Sequence, residues 1–406
     1  MMKRFLVILL AVLLAFSGAA GYFAMKERPA AAPDAEEISV SEEPAEQSFG
    51  ITLRTIDRAA VYALHDPDEI VASINGRDVS WDEYFYWLSG CAASVENYML
   101  QMAMYQTDVN WTDPLSDETE ETYLDSVYED AEQRLKIFAA IEAVAAENGV
   151  ELNAEEQEQL QKQLEQYRTD ALGEEATDAD FLGYLQETEH MRYETLQTFI
   201  RDSLLYQACF NAIYGKDGAA VSDEDALAWL EESGYMRANH ILRLTTDMTT
   251  GEALDENAAE QKGAEAASIA ARLQAIEDPE ELLAELAQLK EQWDEDSGRE
   301  ANPDGYVFGE GEMVEPFEAA VKALHDYQVS DPVKTEYGYH VIVRLPLEAD
   351  LVLGYTSAGT PMTARAACAN ARYGELLDAR LASMQLQLAE GFEQPDLAQF
   401  IVEESY

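Results

Sequence analysis

Two β-prone apolar runs, Ala238 to Leu244 and Tyr339 to Leu345, stand a hundred residues apart, and each carries a histidine near its start, His240 and His340. Clustered or alternating apolar and β-branched residues over such short lengths read as strands. The arrangement suits a central antiparallel pair with both imidazoles on one face. A histidine in an apolar run is more often a packed, hydrogen-bonded core residue than part of a site, so the sequence around the pair has to decide between the two. The other three histidines, His65, His190 and His325, have no partner pattern and read as surface or packing residues.

Three blocks frame the pair. The first is Asn302-Pro303-Asp304-Gly305-Tyr306-Val307-Phe308, a turn followed by a short apolar segment. The second is Gly311-Glu312-Met313-Val314-Glu315-Pro316-Phe317-Glu318, in which Met313 and Phe317 are four apart and would face the same way on a helical turn. The third runs from Pro332 through Thr335 and Gly338 to Ile342, with Gly338 permitting a tight approach before the last strand. An acidic loop, Trp293-Asp294-Glu295-Asp296-Ser297, precedes them all.

Taken in this order, the blocks between Met236 and Leu347 resemble the parvulin-type peptidyl-prolyl isomerases. The resemblance implies that His240 and His340 hydrogen-bond across the floor of an active site and that Thr335 joins their network. It implies that Met313 and Phe317 form a proline pocket with Phe308 near its wall. Asp296 falls near the position where parvulins carry a cysteine or an aspartate. Such a site works without cofactor, metal or nucleophile. Amide resonance sets a barrier of ~18–20 kcal/mol to rotation, and the uncatalysed X–Pro step takes tens to hundreds of seconds. The catalyst has to grip the ring, exclude water and favour the twisted amide over either planar form. Segment Arg243-Leu244-Thr245-Thr246-Asp247, followed by Glu252, Asp255 and Glu256, sets one arginine among several acids, so a phospho-Ser/Thr-Pro preference is not expected.

At 406 residues the chain is long enough for two or three domains. A formal net charge of −54 excludes ordinary nucleic-acid binding, which needs clustered Lys and Arg, and disfavours adhesion to anionic lipid. Cys91, Cys209 and Cys368 lie far apart in apolar helical contexts with no metal-ligand spacing, and are expected as buried free thiols.

Residues 1–28 begin with Lys3-Arg4 and an apolar run, and read as a signal peptide or a membrane anchor. Residues 29–60 read as a disordered linker, 61–233 as a helical domain, 234–348 as the parvulin-like domain, and 349–406 as a C-terminal part whose helix packs on the helical domain. Ile70 to Ser80 reads as a hairpin through Asn75-Gly76. Ser80, Asn153, Thr177 and Ser222 read as N-caps, with Glu83 completing a capping box at Ser80. Helices are expected from about Glu118 to Glu147, from Thr177 to about Tyr214, and from Thr363 to Glu390, the last with a stripe of Tyr373, Leu377, Leu381, Met384 and Leu388.

The expected fold is therefore α+β, a mainly helical chaperone-like domain with an inserted parvulin-like domain built on a small antiparallel sheet flanked by helices. This layout is similar to the exported PrsA-type foldases and SurA-type chaperones. It implies an extracytoplasmic isomerase acting on unfolded or partly folded exported proteins with X–Pro bonds, touching the membrane only through its N-terminal segment. The alternative is a holdase-type chaperone whose parvulin domain is weak or inactive.

Overall fold

A computed structural model describes residues 51–116, 118–247, 250–356 and 359–405. The expected signal or anchor, 1–28, and residues 29–50 of the expected linker lie outside the described residues. The chain divides into two compact units, Met1–Ile213 with Arg372–Tyr406, and Tyr214–Ala371.

The first unit is mainly helical. Strand β1 (Thr52–Ile56) leads to α1 (Arg58–Tyr62), the hairpin β2 (Ile70–Ile74) and β3 (Arg77–Ser80), and helices α2 (Trp81–Met104), α3 (Tyr123–Asn148), α4 (Ala154–Leu172), α5 (Asp178–Glu187) and α6 (Tyr193–Tyr214). Asn75 and Gly76 both take positive φ, 49° and 88°, as a two-residue hairpin turn requires. Thr122, Asn153 and Thr177 each make a reciprocal capping box, and Gly149 ends α3 in the left-handed region. At Ser80 the hydroxyl accepts from the Glu83 amide, but the Glu83 carboxylate turns to Arg77 instead of closing a box. Trp81, Tyr84, Trp87, Phe138, Leu160 and Phe199 form the core of this unit.

Four expectations change here. The linker does not extend to residue 60: Leu53, Thr55 and Ile56 are buried, and β1 pairs antiparallel with β11 (Ile401–Ser405), a partner that only the folded chain supplies. The helix expected from Glu118 begins at Tyr123, where the Thr122 cap sits. The helix expected from Thr177 to Tyr214 is two helices. His190 takes φ 50° between them, and the Arg192 amide donates to the buried Asp82 carboxylate from α2. The last helix, α11 (Ala364–Leu381), stops nine residues short of Glu390. Leu386–Leu388 instead forms a strand, β10, on β2, so Met384 is buried in the core while Leu388 is exposed.

The second unit is wider than residues 234–348. It opens with α7 (Asp223–Glu232), continues through β4 (Met236–Leu244), α8 (Glu256–Gln274), α9 (Pro279–Trp293), β5 (Tyr306–Phe308), α10 (Glu315–Ala323), β6 (Val333–Lys334) and β7 (Gly338–Leu345), and adds a hairpin, β8 (Val352–Tyr355) with β9 (Pro361–Thr363), before the start of α11. Contacts across this segment explain its extent. A Cβ on Gly218 would lie 2.8 Å from the Arg365 carbonyl, and Arg365 reaches both Asp223 and Asp350.

The sheet of this unit is antiparallel in the order β5-β4-β7-β6. Successive side chains of β4 and β7 point to opposite faces. Ile241, Val341 and Val343 pack under α8 and α9 against Ala266, Ile269 and Leu286. Ala238, Ile342 and Phe308 pack on the other face against Phe317 and Val321 of α10. Helices on both faces bury most of the two central strands, and α10 leaves one end of its face open.

Candidate active site

The open end holds the histidines. In the β4–β7 ladder His240 stands opposite Ile342 and Leu242 opposite His340, so the two imidazoles are diagonal neighbours on the α10 face. Their centroids are 5.1 Å apart at 61°. Phe317 meets both rings edge-on, at 5.3 and 5.4 Å, and Tyr306 stacks on His240 at 5.5 Å. The expected hydrogen bond between the histidines is replaced by an edge-to-face contact, with the rings held by Phe317 and Tyr306. Both ring nitrogens of His240 and Nδ1 of His340 are buried without a hydrogen-bond partner among the described residues.

Thr335 and His340 share a hydrogen bond of 2.9 Å between Oγ1 and Nε2, and the Tyr337 amide donates to the same hydroxyl. The turn that sets this geometry passes close to β4. A Cβ on Gly338 would lie 2.1 Å from the Arg243 carbonyl, so only glycine fits.

Asp296 sits at the edge of the pair. Its carboxylate accepts from the Tyr306 hydroxyl and from the Gly298 amide, and His240 Nε2 lies 3.5 Å from Oδ2, too long for a good hydrogen bond. Burial pushes the Asp296 pKa up, but the Tyr306 and Gly298 hydrogen bonds, with the charges of His240 and Lys290, outweigh it and hold the group below its usual value. Burial draws His340 down to about 4. Burial, then the neighbouring His340, lowers His240 as well, against the pull of Asp296. Near neutral pH the site is thus two neutral imidazoles beside a carboxylate.

A cleft of about 390 Å³ opens above these groups, with Met313, Phe317, Leu242, Leu244 and Tyr337 among its lining. Met313 and Phe317 share it, although Met313 precedes α10 rather than lying on its first turn. Phe308 does not line the cleft. It is buried behind Phe317, ring centroids 5.9 Å apart, and props that ring from below. The structure therefore brings His240, His340, Asp296, Thr335, Met313 and Phe317 together and sets Phe308 one layer back.

Tyr306, Leu242, Leu244 and Tyr337 were not expected at the site. Tyr306 was legible in principle, since it shares a strand face with Phe308 by the period of two. Arg243 faces away from the cleft, bound to Glu265, the Trp293 carbonyl and the Trp293 ring. Among the described residues no group of three or more His, Cys, Asp or Glu is placed to hold a metal ion. All three cysteines are buried.

A four-stranded antiparallel sheet with helices on both faces thus carries a histidine pair under an apolar cleft. Residues 240–345 match the Rotamase family, the PPIC-type PPIASE domain. Beyond that domain the chain is similar to foldases. The foldase protein PrsA of Halalkalibacterium halodurans is 27% identical over 232 residues, covering 56% of this chain and 59% of that one. The foldase protein PrsA of Bacillus subtilis is 34% identical over 128 residues, covering 31% of this chain and 36% of that one. The chain thus spans well under two thirds of the length of these relatives. The crystal structure of PrsA from Bacillus subtilis aligns over 67% of this chain and 91% of that chain, with 20% identity and a TM-score of 0.21.

Proposed function

We propose that the chain is a peptidyl-prolyl cis–trans isomerase that assists the folding of exported proteins. The observation that carries this is the cleft itself, where Met313 and Phe317 offer an apolar seat directly above two neutral imidazoles and a carboxylate. A proline ring resting on Phe317 is held by apolar contact and stripped of water. A planar amide is stabilised by charge separation between nitrogen and oxygen, and a twisted one has lost it. A seat that replaces water by apolar side chains and uncharged imidazoles therefore favours the twisted amide relative to water. No bond forms or breaks. His240, His340 and Thr335 act by shaping the floor, and Asp296 by holding Tyr306 and setting the local field.

The clients on this reading are unfolded or partly folded proteins bearing X–Pro bonds, held in part by the helical unit. The setting is extracytoplasmic, with residues 1–28 serving as a cleaved signal or as an anchor. Support for that setting comes from the basic start and apolar run of the sequence and from the foldase relatives. No helix among the described residues is long and apolar enough to cross a membrane.

The test is isomerisation of a proline peptide by the full chain, by Phe317→Ala and by His240→Ala. Each ~1.4 kcal/mol of selective stabilisation is a factor of ten in rate. Wild-type turnover that falls sharply in Phe317→Ala supports the reading. Three rates equal to the uncatalysed one would refute it and leave a holdase with an inactive parvulin domain.

A further inference from the structure

The cleft has an electrostatic bias. Three acids, Glu295, Asp296 and Glu312, line it, and no Lys or Arg does. Two of the three are engaged. Glu295 is bound by Lys262 and the Leu244 amide and lies 3.3 Å from Arg243, and Asp296 is bound as described above. Glu312 is exposed, accepts only the Gly309 amide at 2.8 Å, and has no cationic partner among the described residues.

The rim extends this sign. The Thr245 amide donates to the Tyr337 carbonyl and the Thr246 hydroxyl to the Glu336 carbonyl, which lays the turn carrying Asp247 and Glu252 beside Glu336 at the Leu244–Tyr337 side of the cleft. Lys290, whose charge reaches Asp296, is tied to Asn239 at 2.6 Å, and the other nearby cations are turned away or neutralised. Arg243 lies on Trp293, Lys334 over the Tyr339 ring at 5.5 Å on the opposite sheet face, and Lys322 between Glu310 and Glu318. Tyr337, exposed at the rim, adds a ring face of the kind that guanidinium groups stack on.

We infer that this cleft selects prolines flanked by a lysine or arginine, and that Glu312 is the residue that sets the preference. The inference rests on the isomerase reading above and names its substrate class. The apolar seat and the unpartnered, buried nitrogens of His240 mark the ligand position independently of the acids. A cation beside the seated proline would meet a Glu312 carboxylate that no cation among the described residues neutralises, and the Tyr337 ring lines the same cleft. An acidic or phosphorylated neighbour would meet the same field with the opposite sign.

The experiment measures kcat/KM of the full chain on two peptide series, Xaa-Pro and Pro-Xaa, with Xaa as Arg, Lys, Ala, Glu or phosphoserine. In at least one series Arg should exceed Glu by about tenfold, a difference of about 1.4 kcal/mol. The ratio should shrink in about 1 M salt, where the screening length falls to ~3 Å. Glu312→Gln, which keeps an acceptor for the Gly309 amide, should lower the ratio and Glu312→Lys should invert it. Glu277→Gln, an exposed acid in the loop between α8 and α9, should leave the ratio as it is and so separate Glu312 from the general charge of the chain. Equal Arg and Glu rates in both series, or a ratio that Glu312→Gln does not move, overturn the inference while leaving isomerisation standing. No turnover of any peptide overturns both.

Discussion

Acidification should loosen the isomerase unit through His340, and the size of the effect follows from its burial. The imidazole is 5% exposed, shares one hydrogen bond with Thr335, and has its pKa drawn from 6.5 to about 4. Unfolded, it takes up a proton near pH 6.5, while folded it does not until about pH 4. The folded state therefore binds fewer protons across that interval, and stability falls as pH falls through it. At about 1.4 kcal/mol per pH unit the full loss approaches ~3 kcal/mol, a large share of a domain's stability. His240, lowered by burial and by its neighbour, adds to the loss in the same direction. The measurement is urea unfolding of wild type and His340→Gln between pH 7.5 and 4.5, followed by a signal from the isomerase unit. With only five histidines in the chain, proton NMR can follow the His340 ring directly. Wild type should lose stability more steeply below pH 6.5 than the variant. A His340 resonance titrating near pH 6.5, or parallel pH slopes for the two proteins, would refute the neutral, buried imidazole on which the proposed site depends.

Three further outcomes follow from the structure. Gly338→Ala forces a methyl group onto the Arg243 carbonyl at 2.1 Å, and should cost more than about 2 kcal/mol in thermal unfolding of the isomerase unit and lower turnover with it. Tyr306→Phe removes the hydroxyl that holds the Asp296 carboxylate down, so carboxyl NMR should show the Asp296 pKa rising, with about 1 kcal/mol of stability lost. Deleting residues from Leu386 onward strips β1 of its partner and β2 of one of its two, and circular dichroism should show the helical unit melting earlier while the 214–371 unit keeps its transition.

What was legible in the sequence was what local order and a period of two control. Each histidine sits in a strand whose alternation fixes its face, so the approach of His240 to His340 needed only the pairing of two runs. Met313, Phe317 and Thr335 lie in short blocks whose turns hold them near those strands. What escaped depends on partners distant in sequence. Nothing around Thr52–Ile56 announces a strand edge supplied by Ile401–Ser405. The apolar spacing through Thr177 to Tyr214 runs unbroken past His190, and the break comes from Asp82 on another helix capturing the Arg192 amide. Met384 and Leu388 keep helical phase with Tyr373, yet the open edge of β2 captures the segment between them as a strand. The contact of the two imidazoles escaped because a ring angle is set by packing, here by Phe317 and Tyr306, and has no signature in residue spacing.

The pairing of Thr52–Ile56 with Ile401–Ser405 also sets an order of assembly. A chain emerging from its N-terminus presents β1 early, then makes the whole of residues 214–371 before the closing strand exists. The inserted unit has all its own strands within that interval and can fold first, while an apolar edge of the helical unit stays open. Spontaneous rotation of an X–Pro bond takes tens of seconds and upward. The unit proposed to speed such rotations is thus complete before the unit that surrounds it in sequence can close.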